Sequence, residues 1–282
     1  RGLGDVYKRQ IFIIFNSYDI FTHYIPNLTH SQTIEFVNKK MIMHVINFIP
    51  HISTDIVKVG VIVFPGSNCD RDMYHVLTDV FNLDTQYFWH EKSLPKNIDA
   101  VVLPGGFSYG DRLRAGIIAA HSPIISDVKK MAKKGIPILG VCNGFQILVE
   151  SGLLPGVLLK NDSLNFMCEW TNLIVRNVTT PFTNKLKLNQ KIPIPIANGE
   201  GRYFVDEEIS KKLKKKNQIV FSYENYVNGS MEQIAGVCNE DGNVVGMMPH
   251  PERAAEKEIN PNDNKPSSLI FESLIQSIGA KN

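Results

Sequence analysis

Three short runs in this chain are apolar almost without interruption: Val59-Gly60-Val61-Ile62-Val63-Phe64, Ala100-Val101-Val102-Leu103 and Ile136-Pro137-Ile138-Leu139-Gly140-Val141. Each ends abruptly, in Pro65-Gly66-Ser67-Asn68, in Pro104-Gly105-Gly106 and in Cys142-Asn143-Gly144. Runs of this length suit strands rather than helices. Strands that do not alternate with polar residues are buried on both faces, as in a parallel sheet covered by helices. The intervening segments carry helical spacing. Met73, Val76, Leu77 and Val80 share one face over 70–81, and 113–120 and 124–134 also read as helices. Thr85–Trp89 reads as a further strand. Ligands of such sheets bind outside the carboxyl ends of the strands, where all three Pro, Gly and Cys loops fall.

The third loop carries the most chemistry. In Gly140-Val141-Cys142-Asn143-Gly144-Phe145-Gln146 a buried strand meets a sharp turn and then a helix. That is the layout of a nucleophile elbow. The turn lifts the sulfur above the sheet edge, and the helix N-terminus supplies unpaired N–H groups and positive potential. Both favour thiolate, which is the nucleophile. Glycines at 140 and 144 remove side chains that would crowd the turn. A cysteine nucleophile also needs a base, and the base needs an orienting group. Met247-Met248-Pro249-His250-Pro251-Glu252-Arg253 offers both. Prolines on either side restrict the backbone of His250, and Glu252 two residues on can accept the other ring N–H. Acyl transfer also needs fixed donors for a developing oxyanion. The N–H of Asn143 is one candidate, and the loop Pro104-Gly105-Gly106-Phe107-Ser108-Tyr109-Gly110-Asp111 can turn another toward the same point. This loop matches neither common phosphate-binding glycine pattern.

The remaining sequence is less regular. Strands are expected over 166–178, 192–204, 218–223, 234–239 and 244–248, with Asp241-Gly242 as a hairpin turn and a closing helix over 266–278. The lysine run from Lys211 to Lys216 reads as a solvated face. A net charge of +2 gives no electrostatic argument for nucleic acid or a membrane surface. Cys69, Cys142, Cys168 and Cys238 contain no C-x-x-C pair, which argues against a zinc knuckle or a disulfide framework and fits free thiols in the cytoplasm. The early apolar run Ile11–Phe15 is too short to cross a bilayer or to form a secretory signal. Residues 1–57 differ in composition, with neither Gly nor Ala between Ile11 and Val57. They read as an N-terminal extension, non-native or disordered, with a start near Met41 or Met43. The domain proper is 58–282.

Taken together, the G-x-C-x-G-x-Q elbow, the P-G-G loop and the H-x-E pair resemble the triad, or class I, glutamine amidotransferases. Phe64-Pro65-Gly66-Ser67-Asn68-Cys69-Asp70, the loop 104–111, Gly199-Glu200-Gly201-Arg202-Tyr203 and the 246–253 string make the likeness closest to one family within them. These are the glutaminase subunits of phosphoribosylformylglycinamidine synthase. The resemblance implies a flavodoxin-like (Rossmann-type), mostly parallel sheet with helices on both faces. It implies Cys142, His250 and Glu252 as the catalytic set, and Gly105, Gly106, Phe107, Asn143 and Gln146 as the oxyanion and substrate contacts. It further implies hydrolysis of L-glutamine, with ammonia passed to a large synthetase subunit that uses ATP and Mg to convert formylglycinamide ribonucleotide to the amidine in purine (IMP) biosynthesis. A small accessory subunit completes the complex, and the glutaminase subunit itself needs no cofactor or metal. One departure is Asn198, where many members carry His before Gly199-Glu200-Gly201. On the residues alone, a related cysteine hydrolase of γ-glutamyl substrates and a non-enzymatic glutamine-binding subunit stay open.

Overall fold

A computed structural model describes residues 57–260 and 267–279, so the N-terminal extension expected over 1–57 lies almost wholly outside the described residues. The strands come first in the argument because they set the site. β1 (Lys58–Val63), β2 (Asp84–Trp89), β3 (Ala100–Leu103) and β4 (Ile138–Val141) pair in parallel, in the order β2-β1-β3-β4. β5 (Val157–Leu159) and β8 (Arg202–Phe204) form a separate small ladder. The main sheet continues through β6 (Met167–Val175), β7 (Lys191–Asn198), β9 (Ile219–Tyr223), β10 (Ile234–Cys238) and β11 (Val244–Met247). Its full order is β2-β1-β3-β4-β11-β10-β9-β6-β7. β11 lies parallel to β4, and the strands beyond it are antiparallel. The first four strands and β11 thus make a flavodoxin-like parallel half, and the rest is an antiparallel extension. Every residue of β3, β4 and β11 is buried, so both faces of the sheet are covered there. This is the non-alternating apolar pattern at work.

The helices are α1 (Asp70–His75), α2 (Ile124–Lys133), α3 (Asn143–Glu150), α4 (Glu207–Lys215) and α5 (Ser268–Gly279). In α2 the apolar stripe Ile124, Ile125, Val128, Met131 and Ala132 is buried, while the lysines stay outside. α4 is capped by Asp206, whose carboxylate accepts from the Ile209 N–H at 2.7 Å. Its lysines do line a solvated face, where Lys211 pairs with Glu207 and Lys214 with Glu232. None of the helices among the described residues is long and apolar enough to cross a membrane.

Three local expectations are corrected. The helix over 70–81 is α-helical only to His75 and then widens into a π turn over Val76–Val80. The segment 113–120 is not a helix. Leu113 and Gly116 have φ of +69° and +82°, and only Ala119–His121 turns helically. Left-handed residues break the hydrogen-bond ladder that helical spacing alone suggested. The single strand expected over 192–204 is two, β7 and β8, in different sheets, because Gly199-Glu200-Gly201 turns the chain between them.

Candidate active site

β4 and β11 are hydrogen-bonded neighbours running the same way, with Val141 opposite Met247 in register. The next residue on one side is Cys142, whose N–H donates to the Met247 carbonyl at 2.8 Å. Three residues beyond Met247 comes His250, whose own N–H is held by the Pro195 carbonyl at 2.9 Å. Residues more than a hundred positions apart are thereby delivered to one stretch of sheet rim.

Cys142 has φ +50° and ψ −108°, a conformation that L residues avoid. Such a residue costs about 1–3 kcal/mol and persists only where the surroundings over-determine it. The surroundings here are the strand before it, fixed on both sides, and α3 after it. The N–H groups of Phe145 and Gln146 both turn back to the Cys142 carbonyl, at 3.0 and 3.1 Å. Those of Asn143 and Gly144 open the helix and have no carbonyl one turn earlier to bond. Cys142 is nearly buried as a residue, at 6% exposure, and its Sγ donates to the Ala197 carbonyl at 3.6 Å.

His250 and Glu252 are both buried, and the ring Nδ1 meets the Glu252 Oε1 at 2.6 Å. That bond places the other nitrogen, Nε2, on the cysteine side, where it has no closed hydrogen bond of its own. Burial pulls the imidazole pKa down, but Glu252 and the sulfur of Cys142 outweigh it, with a further pull from Cys69. The imidazole therefore titrates well above its usual value. Gly105 shows how tightly these groups converge. A Cβ built on it would sit 2.8 Å from His250 Cε1, 3.1 Å from Cys69 Sγ and 3.3 Å from Cys142 Cβ. Only a residue without a side chain fits between them.

A cavity of about 280 Å³ opens over the sulfur. Cys142, Gly106, Phe107, Gln146, Asp111 and Glu200 are among its walls. The sequence-predicted contacts divide by what they can still do. The N–H of Phe107 is already donated to the Gly66 carbonyl at 3.0 Å, so that residue brings its half-exposed ring to the cavity rather than a free donor. Gly105 and Gly106 are left as the loop's candidates. The side chains of Asn143 and Gln146 are engaged with each other and with the walls. Asn143 Oδ1 accepts from the Ser108 N–H at 3.1 Å, and its Nδ2 donates to Gln146 Oε1 at 2.8 Å. Gln146 Nε2 then donates to the Glu200 carbonyl at 2.8 Å. This relay ties two cavity walls to the elbow helix. Asn198 is buried with neither Oδ1 nor Nδ2 partnered among the described residues.

Sequence reasoning missed Lys160 and Tyr223, and gave no role of its own to Cys69, which it quoted only within the motif 64–70 and among the free thiols. Tyr223 is buried beside Cys142, and burial keeps its phenol protonated. It ends β9 as an ordinary strand aromatic, so nothing in the text marks it. Asp111 was visible in the glycine-rich loop without a role. Burial, reinforced by Glu200, pushes its carboxyl up to about 6. A carboxyl raised on folding contributes stability that is complete below the unfolded pKa of about 3.9 and lost as pH rises through the folded value. Asp111→Asn removes that loss and tolerates the positive φ at this position. The variant is expected to resist urea better than the parent at pH 7.5, with the gap closing toward pH 4. A gap independent of pH would show that Asp111 is not the titrating group.

A strained cysteine facing an imidazole that a carboxylate orients, under a cavity with open N–H donors, is equipped for acyl transfer through a thioester. That is the class of cysteine amidohydrolases. The family of CobB/CobQ-like glutamine amidotransferase domains matches residues 56–276. A curated relative, the phosphoribosylformylglycinamidine synthase subunit PurQ of Salinibacter ruber, is 47% identical over 230 residues, covering 78% of this chain and 97% of its own length. Among solved structures, a chain of PurLQS from Thermotoga maritima is 46% identical, with a TM-score of 0.70 over 78% of this chain and 98% of that one. The glutaminase domain of CTPS from Trypanosoma brucei, 16% identical with a TM-score of 0.51 over 80% of this chain and 94% of that one, shares the fold. The chain belongs to the glutamine amidotransferases, and within them to the family of glutaminase subunits of phosphoribosylformylglycinamidine synthase.

Proposed function

We propose that this chain hydrolyses glutamine at Cys142 and delivers the ammonia to a synthetase subunit, which uses it in the ATP-dependent conversion of formylglycinamide ribonucleotide to formylglycinamidine ribonucleotide. The observation that carries the reading is the pairing of β4 with β11, because it brings the elbow sulfur and the His250 ring to the same rim. The Cys142 thiolate attacks the side-chain amide carbon of glutamine. The carbonyl oxygen becomes an oxyanion facing the N–H groups of Asn143 and of the Gly105–Gly106 turn. His250 as imidazolium gives its proton to the leaving nitrogen, and ammonia departs. Neutral His250 then takes a proton from water, which attacks the thioester, and glutamate leaves. Glu252 holds the ring and favours its charged form. The cavity walls Asp111, Glu200 and Lys160 carry both signs of charge, which suits the zwitterionic end of an amino acid.

The partners in this reading are the large synthetase subunit and a small accessory subunit, as the resemblance implies. ATP and Mg act on the synthetase, and this subunit works without a cofactor. The cytoplasm, where free thiols survive, is the expected setting. The reading is tested by assaying the assembled complex with glutamine and with ammonia as alternative nitrogen donors. Glutamate should form one-for-one with the amidine when glutamine is supplied. Preferential cleavage of γ-glutamyl peptides by the chain alone would overturn it.

Glu252→Gln is expected to lower kcat by about 10²–10⁴-fold with little change in KM, the range for loss of a triad carboxylate. Without the carboxylate, burial dominates and the His250 pKa falls. The limb of the pH–rate profile that follows loss of the imidazolium proton should therefore move to lower pH. A variant with an unchanged profile would remove Glu252 from the mechanism.

A further inference from the structure

Cys69 takes no part in the steps above, and it does not line the cavity over Cys142. It stands where the β1 loop enters α1 and is buried. Burial pushes its thiol above the usual range, so the sulfur stays protonated. Backbone and side chain are both tied. The Cys69 N–H donates to the Gly105 carbonyl at 3.2 Å. Its thiol donates to Asn68 Oδ1 at 3.1 Å, and Arg253 Nη2 donates to the sulfur at 3.1 Å. Arg253 is fixed to α1 in turn, because its Nε donates to Asp72 Oδ2 at 3.0 Å. The sulfur so held lies within 4.8 Å of a ring nitrogen of His250 and of a carboxylate oxygen of Glu252.

The His250–Glu252 pair needs such a support. Its side chains bond each other through Nδ1 and Oε1, while Nε2 and Glu252 Oε2 are buried with no closed hydrogen bond among the described residues. A single bond between two side chains leaves them free to turn together unless packing and neighbouring hydrogen bonds lock them. Gly105 bounds the ring at Cε1, and the position of its missing Cβ is 2.8 Å from that carbon and 3.1 Å from Cys69 Sγ. We infer that Cys69 is a positioning residue: its bonds with Arg253 and Asn68 fix the sulfur against the His250–Glu252 pair and so keep Nε2 aimed at Cys142. Arg253 follows Glu252 directly, so one short loop supplies the base, the carboxylate that orients it and the arm that holds its support. The motif 64–70 gives no group to the reaction, and this is the task that its cysteine performs. Misplacing a reacting group by about 1 Å costs up to ~10²-fold in rate, so a support of this kind matters to turnover. Support of the pair stands on the packing alone, whereas its effect on rate rests on the glutaminase reading.

The test compares Cys69→Ala and Cys69→Ser in the full chain, with circular dichroism to confirm that each is folded. Two readouts are taken. The first is the far-downfield proton resonance of His250 Nδ1–H, expected from its short bond to Glu252 and assigned by its loss in Glu252→Gln. The second is glutamine turnover by the assembled complex. Cys69→Ala should broaden or lose the resonance and lower kcat about tenfold or more, with KM unchanged because the cavity walls are untouched. Cys69→Ser should recover most of both, since a hydroxyl also donates to Asn68 and accepts from Arg253. A folded Cys69→Ala that keeps the parental resonance and kcat would overturn the proposal. So would a Cys69→Ser no better than Cys69→Ala, or an effect confined to KM. A parent whose resonance depends on Cys69 but which hydrolyses no glutamine would support the positioning and refute the function proposed above.

Discussion

Cys142→Ala is expected to lower glutamine-dependent amidination by the assembled complex about 10⁴-fold or more, the scale seen when an enzyme loses its covalent nucleophile. No neighbouring group can take over attack on the amide carbon. Cys69 lies on the other side of Gly105, and a phenol kept protonated by burial, as at Tyr223, is a poor nucleophile. Ammonia supplied from solution should still support amidination at close to the parental rate, because the synthetase chemistry lies on another chain. The replacement removes one sulfur from a fixed turn and leaves the positive φ as strained as before, so thermal melting should change little. Loss of both nitrogen sources with the complex intact would contradict the division of labour. Retention of the glutamine-dependent rate would remove Cys142 from the mechanism.

Gly144→Ala should produce the largest loss of stability of any single methyl addition in the elbow. A Cβ at that position would lie 1.8 Å from the Leu103 carbonyl oxygen and 2.6 Å from its carbon. The obstacle is backbone at the end of β3, so no rotamer relieves it. Helix α3 would have to lift away from the sheet, opening the packing of Phe145, Ile147 and Leu148, all fully buried. Overpacking a core usually costs about 1–3 kcal/mol, and a clash with fixed backbone belongs at or above the top of that range. The same movement would displace Asn143 and the sulfur, so activity should fall with stability. Urea denaturation checks the first effect and glutamine hydrolysis the second. Gly199→Ala is the comparison, because its new methyl would meet only Phe166 Cδ2, at 3.6 Å. Equal midpoints for the two variants would show that α3 does not press on β3 as described.

Much of the parallel half was legible in the chain's text. Ala100–Leu103 is a strand with the bounds its apolar run indicated, and 59–64, 85–89 and 136–141 needed shifts of a residue or two. Continuous apolar runs closed by Pro or Gly report burial on both faces, and that signal is local. Helices were legible only where the spacing met no left-handed residue. Leu113–Ala120 failed on φ values at Leu113 and Gly116 that no periodicity encodes. The break of 192–204 was written in Gly199-Glu200-Gly201, but an apolar run on each side hid the change of sheet.

By itself the sequence determined the residue types and the local frames: a cysteine between glycines at a strand–helix junction, and a histidine fixed by prolines with a carboxylate two residues on. Tertiary structure decided what those frames face. Parallel pairing of β4 with β11 joins segments a hundred residues apart, and that pairing depends on the whole sheet order rather than on any local pattern. The same folding committed the Phe107 N–H to Gly66, drew Gln146 into a structural relay, and set Cys69 against His250. Hydrogen-bond partners and the neighbours of a buried sulfur are properties of packing in three dimensions, so one-dimensional spacing carries no record of them.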